Sequence, residues 1–486
     1  MPPDAGSPVD VNVEMPPMPA GAQTDPQHPS RDAAIPKVRA QLRRRGGGEL
    51  FTPHSVPIGP YHGHGDAGSW LWTQEKKQAV QDLVQCGVNL SDLTLAVEGI
   101  ESKARGYYTH LGDAMDSEKF CSMLLLDGCY LLSFFIDYQY PEPTGGAAIA
   151  NGSRRRMASR DNTVVRDILY LLENQVPLFV IDEIFKLLEA QTSALLCIAR
   201  AVEQLLQRQL YISKTPRMAP SSSSHLLDLV HYYMAPQQPT RMTLREAVDG
   251  NTDPSETQLY RWWTSSQHLW ELLYSYLPLQ KQQQQQEEEE PMSTCTGRWH
   301  RATEYRRNGD LTFKPRSFAA GDEWTILAVQ LDGRSLLIPL LRIDSHTWTL
   351  LRNLMALEEH RDARPVTAYC LFMSQLACTV EDVELLRSAK VIESFLGSDA
   401  STAQGFADLC HGVALDIDNV DQNYLKPMWH HMGKRCSLRA HNFKGVFREK
   451  YCSNVFYIFV FCIAFVLSAC QVLQCIYAII AYHKPK

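Results

Sequence analysis

The sequence predicts a mainly α-helical protein with a large helical body, a minor β element and one C-terminal transmembrane helix. The body is predicted because successive segments from residue 70 onward repeat apolar side chains at spacings of three and four, the period of an amphipathic helix. Residues 324–344, WTILAVQLDGRSLLIPLLRID, are short, aliphatic and interrupted by Asp-Gly, which is typical of strands. Residues 451–482 contain no Asp, Glu, Lys, Arg or His. This run exceeds the roughly 20 residues that a membrane span needs.

Composition excludes some classes of protein. The 486 residues are 45% apolar and carry a formal net charge of −7, so a general nucleic-acid binder, which needs surplus cations, is not predicted. The 13 cysteines form no C-x-x-C pair, which favours reduced thiols over a disulfide framework.

The chain divides into four predicted regions. Residues 1–34 are a leader rich in proline, expected to be disordered and unlike a signal peptide. Residues 35–412 are the helical body, which carries a loop at 141–161 and a Gln/Glu-rich insertion at 281–297. A basic juxtamembrane segment follows at 413–450, and the membrane helix occupies 451–482.

Helical patterning runs in order through several segments of the body. Before the 141–161 loop these are WLWTQEKKQAVQDLVQ, LTLAVEGIESKARGYY and SEKFCSMLLLDGCYLLSFFIDYQY. After it come VVRDILYLLENQ, PLFVIDEIFKLLEAQ and SALLCIARAVEQLLQRQL. The serine run 221–224 is expected to cap HLLDLVHYYM, since serine favours the helix N-terminus. Helices are predicted again in TWTLLRNLMALEEH and MSQLACTVEDVELLRSAKVI.

No catalytic or cofactor motif is present in the sequence. It lacks G-x-S-x-G, a Walker-type glycine loop, the kinase motifs and H-E-x-x-H, so a protein without enzymatic activity or cofactor is predicted.

Two groups of histidines in the sequence are candidate metal sites. His54, His62 and His64 lie in a Gly/Pro-rich loop, where imidazoles can bind zinc, but the glycines also explain this loop as a tight reversal. A second group lies in the basic segment, where histidine is unsurprising: His430, His431, Cys436 and His441. Neither group is predicted to hold a metal.

A polar triplet interrupts the apolar stretch DILYLLENQVPLFVIDEIF. Glu173, Asn174 and Gln175 precede Pro177, which has no N–H to donate and forces the helix to end or kink. Asn and Gln side chains can bond to the backbone groups that such a break exposes. We therefore predict a structural polar core at a helix–helix corner, together with Asp127. The alternative is a catalytic carboxylate pair made of Asp127 and Glu173.

Small and polar residues recur along one face of the predicted membrane helix. Ala464, Ser468, Gln471 and Cys475 are spaced by four, three and four residues. Small residues let membrane helices approach, and a Gln can bond across to a partner, so self-association or association with an unknown protein is predicted. The alternative is that Gln471 merely lies near the membrane interface.

The charges that flank the run predict its orientation. Two lysines follow the run, Lys484 and Lys486, and six cations precede it. These six are Lys434, Arg435, Arg439, Lys444, Arg448 and Lys450. The positive-inside rule then predicts a cytosolic body, so the glycosylation sequons at Asn89 and Asn151 should stay unmodified.

Several blocks, in order, resemble the plant family called domain of unknown function 247. The more specific are DILYLLENQVPLFVIDEIF and LLIPLLRIDSHTWTLLRNLMALEEH, and further blocks are IPKVRAQLR, VPIGPYHG, SMLLLDGCYLL, RATEYRRNGDLTFK and FLGSD. Together the matching blocks extend from residue 35 to about 412. Tyr305 departs from the family pattern, which expects Leu, and the Pro-Trp that usually precedes the membrane segment is missing.

The resemblance implies a plant membrane protein with no established enzymatic activity, and it links some grass members to pollen–stigma self-incompatibility. The leading hypothesis is thus a tail-anchored recognition or signalling protein in the plasma membrane or an endomembrane. The alternatives are a membrane-bound enzyme that uses the buried carboxylates or the loop histidines, and a lipid-surface protein that acts through the basic segment.

Overall fold

The described part of the chain consists of the following residues in a computed structural model: 34–62, 69–109, 111, 115–139, 162–188, 194–213, 223–235, 300–319, 324–416, 419, 422–437 and eight positions between 463 and 474. The predicted leader up to residue 33, the 141–161 loop, the 281–297 insertion and residues 438–450 lie outside it.

The first half of the body is built from helices around one long central helix. Their bounds are α1 Ala40–Gly46, a 3₁₀ turn Gly48–Phe51, α2 Ser69–Gln85, α3 Leu90–Arg105, α4 Ser117–Gln139, α5 Asn162–Tyr170, α6 Leu178–Lys186, α7 Ala194–Arg208 and α8 Leu226–Met234. Helix α4 packs against α2, α3, α6 and α7. Gly128 lets α6 come close, because a Cβ there would lie 2.5 Å from Ile184 Cδ1.

The second half adds six helices, including the last described helix of the body, and two small sheets. Their bounds are α9 Ala302–Gly309, β1 Thr312–Pro315, β2 Gln330–Asp332, β3 Ser335–Ile338, β4 Leu341–Ile343, α10 Thr347–Glu358, α11 Pro365–Leu376, α12 Val380–Ser388, β5 Ile392–Ser394, α13 Asp399–Leu409 and α14 Lys426–Ser437. Strand β3 lies between β1, to which it is parallel, and β2, to which it is antiparallel, while β4 and β5 pair in parallel.

Helix α10 joins the two halves into one core. It packs against α5 and α8 of the first half and against α11 and α13 of the second. Its Leu350 and Leu354 are fully buried. The two halves therefore share a continuous apolar interior.

The predicted mainly α architecture is confirmed, with differences in detail. Strands β2, β3 and β4 lie in the predicted stretch 324–344. Strands β1 and β5 were not predicted, because each forms by pairing with a strand distant in sequence, β3 and β4 respectively. The serine cap expected for α8 is wrong. His225 is the N-cap, and its Nδ1 accepts the Asp228 N–H at 3.2 Å. Ser224 instead donates its backbone N–H to the Asp228 carboxylate at 2.7 Å.

Two apolar helical segments differ in burial. Among the described residues, one helix is long and apolar enough to cross a membrane, Ser117–Tyr138 of α4, and 72% of its most apolar window is buried in the body. The predicted membrane helix at 451–482 lies mostly outside the described residues. The eight positions described between 463 and 474 are all helical and all exposed.

Candidate functional site

The most distinctive site is a buried polar network that holds an N-terminal arm, residues 34–62, against the helical body. Arm backbone N–H groups donate to side chains of the body over separations of more than 60 residues in sequence. Val38 donates to Glu173 Oε1 at 2.7 Å, Ile58 to Asn174 Oδ1 at 2.7 Å and Gly59 to Asp127 Oδ2 at 2.8 Å. The arm is thereby fixed through its main chain.

Asn174 and Gln175 also bond to the end of α5. The Asn174 amide donates to the carbonyl of Asp167, and the Gln175 amide donates to those of Ile168 and Leu171. The Asp167 and Ile168 carbonyls belong to the last turn of α5, where intrahelical donors are missing, and Leu171 directly follows the last residue of this helix. Gln175 Oε1 in turn accepts the Leu227 N–H of α8 at 3.1 Å.

The helix end differs from the prediction in position. Helix α5 ends at Tyr170, and residues 171–177 connect it to α6, so the break begins before Pro177. The side-chain amides of Asn174 and Gln175 donate hydrogen bonds to carbonyls at the end of α5. In a longer helix, backbone N–H groups of the next turn would donate to these carbonyls. Pro177 is the N-cap of α6, where its missing N–H costs nothing.

Asp127 of α4 forms a buried ion pair with Lys76 of α2. Lys76 Nζ lies 2.5 Å from Asp127 Oδ1, and both side chains are at least 95% buried. Lys76 also donates to the Pro57 carbonyl of the arm at 2.5 Å. The close approach of the arm to Gln175 requires a glycine at position 59. Gly59 has a φ of +73°, and a Cβ there would lie 2.4 Å from the Gln175 carbonyl oxygen. One ion pair thus positions the arm reversal against the polar triplet.

Glu173 binds the other end of the arm. Its second oxygen lies 2.5 Å from Arg43 Nη2, and His62 Nε2 lies 3.9 Å away. Burial lowers the pKa of His62, and the Glu173 charge offsets this only in part. Glu173 is therefore occupied by a backbone donor and a cation, the bonding of a structural carboxylate.

Asp167 is a further buried carboxylate that accepts backbone N–H groups of the arm and pairs with a cation, in this case Arg166. One Asp167 oxygen accepts the backbone N–H groups of His54, Ser55 and Val56 at 3.0, 2.6 and 3.0 Å. The other oxygen accepts from Arg166 Nη1 at 2.6 Å. Sequence reasoning missed this pair, although a buried Asp within the same apolar block carried the same signal as the triplet.

A second polar cluster, also missed, joins α8 to α10 and α11. Glu358 accepts hydrogen bonds from the backbone of Val366 and Thr367 at 2.9 and 2.7 Å, and His231 Nε2 lies 2.8 Å from it. Arg361 donates to Asp228 at 2.5 Å. Glu358 belongs to the block LLRNLMALEEH, for which the sequence predicted only a helix. A polar residue inside an apolar helix is the signal that could have indicated its buried role.

Arg352 and Asn353 of the same block connect the body to the arm. Arg352 Nη1 donates to the carbonyls of Asp408 and Leu409 in the body, both at 2.8 Å, and Arg352 Nη2 donates to the Leu42 carbonyl of the arm at 3.3 Å. Asn353 donates to the Leu50 carbonyl at 2.8 Å and accepts the Leu172 N–H at 2.9 Å. Both residues bond mainly to backbone groups, as the triplet does.

Only part of each histidine group lies within the described residues. No group of three or more His, Cys, Asp and Glu side chains that could hold a metal ion occurs within the described residues. His54 contributes its backbone N–H to Asp167, and His64 and His441 lie outside the described residues. His430 and His431 are exposed on α14, while burial raises the pKa of Cys436 to about 12 and keeps this thiol protonated.

Two residues of the predicted membrane-helix face are described. Ser468 and Gln471 are helical and exposed, whereas Ala464 and Cys475 lie outside the described residues. The juxtamembrane cations from Arg439 to Lys450 lie outside them as well. The face therefore stays a prediction.

The comparisons with known proteins agree with this chain's sequence blocks. The pattern of the DUF247 family, described as a plant protein of unknown function, matches residues 35–470. A protein of Arabidopsis thaliana named UPF0481 protein At3g47200 is 25% identical over 386 residues, which cover 76% of this chain and 71% of that protein. No solved structure matches the chain.

Proposed function

This chain belongs to the DUF247 family of plant proteins, and from that premise we propose that it is a tail-anchored membrane protein whose helical body binds other proteins on the cytosolic side. The family assignment expected from the sequence blocks is confirmed, whereas the anchor, the orientation and the binding role are our proposal. Self-recognition of the pollen–stigma type, which the resemblance suggests for some grass members, is one case of such binding.

The observation that supports the proposed membrane anchor most strongly is the exposure of apolar side chains in a helical run without charged residues. Ile463, Val466, Leu467 and Leu473 are between 46% and 60% exposed, although residues 451–482 contain no charged side chain. A helix of a soluble body buries such residues, whereas a membrane helix presents them to lipid. The match of the family pattern also extends into this run, to residue 470.

The charge distribution supports a cytosolic body. Six Lys and Arg residues lie between 434 and 450, and only two follow the run. Because cations are retained on the cytoplasmic side, the body and the basic segment are assigned to that side of the bilayer.

The bonding of the buried carboxylates favours a binding protein over an enzyme. Glu173 and Asp127 each accept a backbone N–H and pair with a cation, so their oxygens are occupied by the protein itself. A general base needs an oxygen within hydrogen-bond reach of a substrate proton. The network instead immobilises the arm.

A membrane-bound enzyme that uses these carboxylates or the loop histidines is the second candidate, favoured by the closeness of His62 to Glu173. Purified full-length protein, with and without added zinc, separates the two. We expect no stoichiometric zinc and no turnover of generic ester, peptide or phosphate substrates. Turnover that disappears in Glu173→Gln while the melting temperature is retained would favour the enzyme.

The anchor itself is tested by membrane extraction. Full-length protein expressed in plant cells should remain in the membrane pellet after alkaline carbonate, and a variant that lacks residues 451–486 should be released. Release of both forms, or retention of both, would contradict an anchor in the C-terminal run.

A further inference from the structure

We propose that one face of the body lies directly on anionic phospholipid headgroups of the membrane that holds the tail. This cationic face is defined by Arg306, Lys314, Arg334 and Lys434, all exposed. The inference rests on the proposed function, because it takes the bilayer next to the body to be the one in which residues 451–482 are inserted.

The first two cations lie at or next to one surface cavity. Arg306 of α9 and Thr312 of β1 line this cavity together with Leu385 and Ser388 of α12. Lys314 is two residues beyond Thr312, and alternate residues of a strand lie on the same side. Arg306 and Lys314 therefore belong to one surface.

The other two cations adjoin the same strands. Thr312 donates its backbone N–H to the Arg334 carbonyl at 2.8 Å, which places the β2–β3 turn beside the start of β1. Arg435 of α14 donates to the Gly333 carbonyl in that turn at 2.9 Å. Lys434, the residue before it, is exposed at the end of α14. The last turn of α14 and the β2–β3 turn thus extend the surface.

Helix α14 is fixed to the body by its other side. Met428, Met432 and Cys436 are buried, and a Cβ on Gly309 of α9 would lie 3.0 Å from Cys436 Sγ. The exposed side of α14 carries His430, His431 and Lys434. Partial burial, and then the charges of Arg435 and Lys434, lower the pKa of His431, as expected in a positive local potential.

Nearby carboxylates offset this charge incompletely. Asp310 is buried and pairs with Arg334 at 3.2 Å, and Glu304 accepts from Arg301 at 3.2 Å. Asp332 in the β2–β3 turn and Glu384 on α12 are exposed. With Arg435 the surface has five cations against three acids, the buried Asp310 and the exposed Asp332 and Glu384, so it retains a positive balance.

The length of the intervening chain identifies the occupant. Thirteen residues, 438–450, separate the end of α14 from the charge-free run. They reach at most about 45 Å when fully extended and about 20 Å when helical. Four of them are cations, which are attracted to the same leaflet. The last helix of the body therefore lies no more than about 45 Å from a negatively charged surface, whose sign is complementary to that of the cationic face.

Lysine labelling of the full-length chain in lipid nanodiscs tests this contact. Discs of neutral phosphatidylcholine are compared with discs that also contain phosphatidylserine, and acetylation of each lysine is followed by mass spectrometry. Lys314 and Lys434 should react at least fivefold more slowly in the anionic discs, and high salt should reverse the effect because it screens surface charge. Lys77 and Lys119, exposed on α2 and α4, are internal controls and should not change.

A double charge reversal adds a second test. Arg306→Glu with Lys314→Glu should abolish the slow labelling of Lys434 in anionic discs, and Lys77→Glu with Arg200→Glu, which reverses two exposed cations elsewhere, should not. Equal labelling of Lys434 in both kinds of disc would overturn the contact and leave the anchor intact. Failure of the chain to remain in neutral discs would contradict the anchor itself and would overturn the contact with it.

Discussion

Helix α4 and the C-terminal run are both long and rich in apolar residues, and their surroundings are opposite. Helix α4 is packed on several sides by α2, α3, α6 and α7, and 72% of its most apolar window is buried. Each residue described between 463 and 474 is exposed. Both segments are long enough to cross a membrane, although α4 contains charged residues and the C-terminal run contains none. What distinguishes them is whether other elements of the body cover their apolar side chains.

Two polar residues, Asp127 in α4 and Gln471 in the C-terminal run, show the same difference in surroundings. Asp127 of α4 pairs with a cation, Lys76, supplied by a neighbouring helix of the same body. Gln471 is neutral and exposed. A buried charge is stable only when its protein partner is supplied. A neutral amide in lipid can instead gain a bond from a second membrane helix.

The largest expected effect comes from Lys76→Ala. This change leaves the Asp127 carboxylate buried without its cation, which typically costs about 3–5 kcal/mol of unfolding free energy. Urea unfolding of the full-length chain in nanodiscs measures this loss. The control is Lys77→Ala, one residue along the same helix but exposed, which should stay within about 0.5 kcal/mol of the original protein. Equal stability of both variants would contradict the buried pair.

A matched leucine pair compares the two helices directly. Leu131 of α4 is fully buried, whereas Leu467 in the C-terminal run is 60% exposed. Leu131→Ala should lower the stability of the body by about 2–5 kcal/mol, because it removes packed methyl groups and leaves a cavity. Leu467→Ala should leave the melting of the body unchanged. Comparable losses from both changes would mean that the C-terminal helix is packed into the body.

The sequence predicted the local features of the body and missed the long-range ones. Periodicity located most of the helices, and the triplet at 173–175 indicated a polar corner. It did not show that the partners would be Val38, Ile58 and Leu227, because such contacts depend on how distant segments pack. The parallel pairing of β1 with β3 was not predicted for the same reason.

The triplet prediction concerns polar residues in an apolar setting. Glu173→Leu and Gln175→Leu each add apolar surface, yet each should lower stability, at about 1–3 kcal/mol for every buried backbone group left without a partner. Glu98→Leu, at an exposed position of α3, is the control and should be nearly neutral. Thermal melting of the three variants measures the difference. Unchanged melting of both triplet variants would refute a structural role in the corner.

The smallest expected effect concerns association through the proposed membrane helix. Ala464→Ile with Gln471→Leu should weaken self- or partner association by about 1 kcal/mol, because it widens the helix and removes a bonding amide. At 100° per residue, Val466 and Leu473 lie on the opposite face, so Val466→Ala with Leu473→Ala is the matched control. Cross-linking in membranes measures both pairs. Equal losses would rule out a specific face.

The measurement that tests the central claim most directly is glycosylation mapping in microsomes. The native sequons at Asn89 and Asn151 lie on the two sides of α4 in sequence, so a membrane-crossing α4 would put one of them in the lumen. If the C-terminal run is the anchor, neither native sequon will be modified, and a sequon added after Lys486 will be. A glycan on Asn89 or Asn151, or none on the added sequon in a chain that resists carbonate extraction, would contradict the account.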